Sequence, residues 1–146
     1  MRNLALLLHL SAMIVWLGGM VFAHFCLRPA VVMLEPPQRL SLMAATLTRF
    51  FAIVIPVIVV LLASGGYLYT GREGLAAPIG VHIMVGIGIA MCLIFGHLFF
   101  GPFRRMTAAV AESAWPVAAT QLGKIRMLVL TNLILGFAAV TAVRLL

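Results

Sequence analysis

Acidic side chains are nearly absent. The 146 residues hold three, Glu35, Glu73 and Glu112, against ten Lys and Arg, for a net charge of +7. Charged residues make up 9% of the chain, where a soluble domain carries about 25%. That supply does not cover a water-facing surface, and a mean hydropathy of +1.21 points the same way. A soluble globular fold is therefore excluded. No Asp or Glu falls within the apolar runs, which removes the carboxylate relay that proton-driven antiporters use. Cysteine is scarce too: Cys26 and Cys92 are the only two, and no CxxC or CxxCH exists. This argues against a zinc knuckle and against covalent haem attachment. Both cysteines read as small buried hydrophobes rather than a disulfide pair. There is no GxGxxG, no P-loop and no Ser–His–acid set, so nucleotide binding and triad hydrolysis lack their motifs.

Long apolar runs are what the chain does have. They are continuous rather than alternating, which favours helices over a β-barrel. Residues 3–27, 50–71, 74–103 and 127–143 contain no Lys, Arg or Asp, and Glu is absent from them as well. A span needs roughly 20 apolar residues. The pattern predicts an all-α polytopic membrane protein with one domain over 1–146, a four-helix transmembrane bundle with spans at about 4–27, 50–71, 78–101 and 127–143. The first run is longer than the roughly 7–15-residue core of a signal peptide, so it reads as a span. Residues 37–49 and 116–126 read as helical leads into the second and fourth spans, and Pro56 as a kink in the second.

Seven of the ten basic residues fall in two connections: Arg28, Arg39 and Arg49 in the first, Arg104, Arg105, Lys124 and Arg126 in the third. The positive-inside rule places these connections in the cytoplasm of a bacterial inner membrane, with both termini outside. The positive charge is thus read as a topology signal that meets lipid headgroups, not as a nucleic-acid surface.

Four histidines, His9, His24, His82 and His97, all lie inside spans, and intramembrane ionisable groups are functional candidates by default. His9 to His24 is 15 residues and His82 to His97 is also 15. Helices 1 and 3 run in the same direction, so His9 and His82 share one depth and His24 and His97 the other. Two stacked imidazole pairs are the layout of dihaem membrane cytochromes, in which each haem b iron takes two axial histidines. On this reading one or two haems sit between helices 1 and 3 and carry electrons within or across the membrane. A quinone or a periplasmic electron carrier would be the partner. Gly86 and Gly101, one turn from His82 and His97, would give the macrocycle room. Arg28, Arg104 and Arg105 would meet propionates on one side, and Tyr67, Tyr69 and Arg72 on the other.

A second stripe competes on helix 1. His9, Met13, Trp16, Met20 and His24 succeed each other at intervals of 4, 3, 4 and 4. Thioether and imidazole donors suit Cu(I), and such a stripe would pass copper along the helix. The plainest alternative is packing: His, Asn132 and the glycines serve helix contact in membrane proteins, and Met fills gaps. A cofactor-free assembly subunit is the function that packing implies, and an oligomer stays open.

The stretch from His9-Leu10 through Trp16-Leu17-Gly18-Gly19-Met20, then Arg28-Pro29-Ala30, resembles the CopD family of bacterial membrane proteins. So do Glu35-Pro36-Pro37-Gln38-Arg39 and Phe95-Gly96-His97-Leu98-Phe99-Phe100-Gly101-Pro102-Phe103-Arg104-Arg105. The resemblance spans essentially the whole chain. It implies a role in copper resistance, where a CopD domain is associated with copper uptake. The helix 1 pattern is also similar to HemJ-type protoporphyrinogen oxidases, four-helix membrane proteins linked to haem b that carry a histidine at a position like His9. That resemblance leaves open a membrane oxidoreductase.

Overall fold

The computed structural model describes residues 1–71 and 74–146. Four long helices account for nearly all of them: α1 (Arg2–Met33), α2 (Pro36–Thr70), α3 (Ile79–Ala111) and α4 (Trp115–Leu145). Each is long and apolar enough to cross a membrane. The expected spans lie within these helices or within a residue of their ends. The helical leads at 37–49 and 116–126 are present as the first turns of α2 and α4. α2 stays one helix through Pro56. At about 1.5 Å rise per residue the helices are roughly 46–52 Å long, against about 30 Å of hydrocarbon.

The connections are tight. Glu35 breaks α1 from α2 by adopting extended backbone, with proline at the first position of the new helix, where its missing N–H is harmless. Ser113, in the left-handed region at φ 56°, reverses the chain between α3 and α4. Short connections make chain neighbours pack as antiparallel pairs. α1 accordingly lies mainly against α2, and α3 mainly against α4. Helices 1 and 3 are therefore not the adjacent pair that a cofactor clamped between them presumes.

The bundle has two unlike halves. One end, the terminal half, carries both termini and the α2–α3 turn. The opposite, connection half holds the α1–α2 and α3–α4 links. The tightest packing is in the connection half, where Leu40, Leu98, Met106 and Ile125 are each at most 1% exposed. Between the halves stands an aromatic cluster. Phe51 of α2 meets Phe95, Phe99 and Phe103 of α3 with ring centroids 5.4, 6.3 and 4.8 Å away. Trp16 of α1 joins edge-on to Phe95 at 6.2 Å. Gly19 lets Phe50 press against α1, since a methyl group there would overlap the ring. Trp16 thus packs into the core of the bundle.

Two helices contain π-helical turns, at Phe22–Leu27 in α1 and Phe99–Phe103 in α3. The extra residue in each wide turn rotates the rest of the helix out of the regular 100° register. Beyond its own wide turn α3 continues as Arg104–Ala111, turning Met106 and Ala109 inward and Arg104 and Arg105 outward.

Candidate metal site

The terminal half encloses a cavity of about 240 Å³. All four helices line it, and its chemistry is narrow. α1 contributes His9, Met13 and Trp16, and α2 contributes Gly65 and Tyr69; α3 adds Met84 and Met91, and Gly136 of α4 completes the wall. The remaining wall is aliphatic or glycine. The polar side chains facing it are one imidazole and one phenol, accompanied by the indole of Trp16. Three thioethers complete the set of donors.

His9 is held from behind. Its Nδ1–H donates to the backbone carbonyl of Leu61 at 3.1 Å, and Ser64 Oγ lies 3.3 Å from the same nitrogen. A backbone carbonyl only accepts, so this contact puts the proton on Nδ1 and leaves the Nε2 lone pair free. The Ser64 hydroxyl is itself anchored, donating to the Val60 carbonyl at 2.6 Å. Gly65 makes the seat: a methyl group there would stand 2.9 Å from Cε1 and 3.2 Å from Nδ1 of His9. An imidazole fixed through Nδ1 to a carbonyl, with Nε2 free, is the usual posture of a metal-ligating histidine. Gly136 makes the matching room on α4, where a methyl group would overlap Leu17 and lie 3.4 Å from Met91 Cε. Asn132 fixes the backbone of Met91, its Nδ2–H donating to the Met91 carbonyl at 3.1 Å. This is the interhelical role expected of Asn132.

His82 is not a second wall of this cavity. It shares a hydrogen bond of 3.3 Å between Nδ1 and Tyr69 Oη, with the two rings edge-on at 5.8 Å. Tyr69 lines the cavity and His82 stands behind it. Both terminal-half histidines are thus held by helix α2, which contains no histidine of its own.

The histidines of the connection half are also kept apart. His24 lies in the π-helical turn and lines a slot of about 30 Å³ with residues of α2 and α4, none from α3. His97 is exposed on α3. His24 is the one histidine on that slot. His24 and His97, paired by counting along the sequence, thus do not line a common cavity in this structure. That pairing took helix 1 as an unbroken α-helix through His24, which the π-helical turn at Phe22–Leu27 interrupts. Neither the terminal-half cavity nor this slot brings two histidines together as a pair of axial haem ligands.

The remaining candidates divide. Met13 is in the cavity, but Met20 is packed at 2% exposure in the core below it, which breaks the His–Met stripe at the aromatic cluster. Gly86 and Gly101 face open space rather than cradling a group, because they lie on outer faces of α3. Arg28 is half-buried beside His24, whereas Arg104 and Arg105 are exposed. Tyr67 is exposed on a shallow groove next to the N-terminus, and Arg72 lies outside the described residues. Cys92 is half-buried, but Cys26 is exposed rather than buried; both thiols are free. Among the described residues no three His, Cys, Asp or Glu side chains come together as a metal-binding group. A metal in the cavity would therefore rest on His9 and thioethers. The sequence did not single out Ser64 or Gly65 as site residues, and Met84 and Met91 lie off the His82–His97 line that it suggested. Their common signal is position: Ser64 and Gly65 sit on the α2 segment that runs antiparallel to His9.

A family model described as Copper resistance protein D matches residues 44–146, about seven-tenths of the chain. The chain belongs to the CopD family. The matched region covers most of α2 and all of α3 and α4, and leaves α1, with His9 and Met13, outside it. No curated protein and no solved structure matches the chain.

Proposed function

We infer that this multi-pass membrane protein of the copper-resistance family takes up Cu(I) in the terminal-half cavity, with His9 Nε2 as the nitrogen donor and the thioethers of Met13, Met84 and Met91 as the soft donors. The observation that carries this reading is the seat of His9: one imidazole, fixed through Nδ1 to the Leu61 carbonyl, faces an apolar cavity that three methionines share. Soft thioethers with imidazole select Cu(I) over harder divalent ions. The set is neutral, so a monovalent ion adds one charge to the cavity where a divalent ion would add two. Membership of the family supports copper as the cargo. The Nδ1–H contact fixes the ring and raises the basicity of Nε2. The aliphatic walls keep water from competing for the ion.

The test is an anaerobic titration of the detergent-purified protein with Cu(I) against a chromophoric chelator, with a visible spectrum taken before and after reduction. About one tightly held Cu(I) per chain is expected. His9→Ala should abolish it, the triple exchange of Met13, Met84 and Met91 to Leu should weaken it, and His97→Ala should leave it unchanged. Absence of Cu(I) binding above a detergent blank overturns the reading. Reduced haem b bands in protein made with ample haem would replace it with a cytochrome.

A further inference from the structure

At the other end of the bundle, two arginines from different helices meet at one slot. Arg28 comes directly after the π-helical turn of α1, and Arg126 sits on α4 one residue before the long apolar run 127–143. Both are half-buried, and both line the slot with His24. The rest of its wall includes Met43, Leu47 and Ile125, which are buried. No carboxylate answers the arginines. The described acids, Glu35 and Glu112, are exposed, and neither lines the slot.

A half-buried arginine among aliphatic neighbours lays its methylene stem along the wall and carries its guanidinium to the polar rim. Two such forks at one mouth, with an imidazole N–H beside them, favour a ligand with several anionic oxygens, because each fork presents paired N–H donors. Position narrows the choice. Arg28 directly succeeds the charge-free run 3–27 and Arg126 directly precedes the run 127–143, so both stand at the depth where hydrocarbon gives way to headgroups. The ligand then has an anionic head at the rim and an apolar body that stays in the surrounding hydrocarbon. We propose that Arg28, Arg126 and His24 form a binding site for the phosphate of one anionic phospholipid, held between α1, α2 and α4. Its charge complements an end of the molecule that carries seven of the ten basic residues.

Native mass spectrometry tests this on the full chain, purified and then exposed to equal amounts of phosphatidylglycerol and phosphatidylcholine. Wild type should retain one phosphatidylglycerol per chain with at least fivefold preference. R28Q/R126Q should bring that preference close to one, while R104Q/R105Q, which removes the same charge from exposed positions, should keep it. Equal retention of the two lipids by wild type overturns the proposal. So does a preference unmoved in R28Q/R126Q, or lost equally in R104Q/R105Q. Displacement of the lipid by millimolar inorganic phosphate would assign the site to free phosphate instead and overturn it as a lipid site. Should the double exchange prevent folding, R126Q alone is compared with R104Q. A larger loss in R126Q supports the site, and an equal or smaller one overturns it.

Discussion

Gly65 does more for the cavity than several residues that face it. Its missing side chain is what allows His9 to lie against α2 and reach the Leu61 carbonyl. Gly65→Ala is expected to push the ring off that contact while leaving the helices intact. Partners that orient a ligating histidine are worth about 10–100-fold in metal affinity, so Cu(I) binding should weaken by that order with an unchanged circular dichroism spectrum. Equal affinity in wild type and variant would show that the seat of His9 is irrelevant to the ion. At this scale the sequence was informative about residue type and poor about partnership. His9 and Met13 were identifiable as candidate donors from their spacing on one helix. The glycine next to His9 was not, because it lies 56 residues away in the chain and the contact depends on how α1 and α2 are set against each other. Gly86 and Gly101 looked better by proximity along α3, yet both face outward.

Among the elements, α4 illustrates how polar side chains order a bundle in lipid. Lipid tails are as apolar as Leu, so burial alone does not select the partner of a helix. Asn132, 2% exposed, reaches across to the Met91 carbonyl and so sets the register of α4 on α3. Asn132→Ala should lower stability by about 0.6–1.7 kcal/mol, the range of such interhelical bonds, measured by reversible unfolding in mixed micelles. The same exchange should loosen Met91 and with it the cavity wall. An unchanged unfolding midpoint would mean that the contact orders nothing. The four helices themselves were legible because charge-free runs of this length have few other uses. Their angular facing was not. The His24–His97 pairing came from equal 15-residue spacings on two helices running in the same direction, and the π-helical turn at Phe22–Leu27 shifts the facing of His24 without any clear mark in the sequence.

For the whole molecule, the distribution of charge predicts an orientation. Seven of ten basic residues cluster at the connection end, so that end should face the cytoplasm. An alkaline phosphatase fused after Leu146 should then be active in intact bacteria, and a fluorescent protein fused there dark; the reverse pattern would invert the molecule. The difference between the two halves of the bundle has a consequence of its own. The cavity lies in the terminal half, and Trp16, which lines it, stands edge-on to Phe95 of the aromatic cluster. A hollow that stops short of a packed aromatic layer is a cup rather than a pipe. If the cavity takes an ion, the protein would buffer it or hand it on at one face of the membrane, and net passage to the other face would require the aromatic layer to come apart.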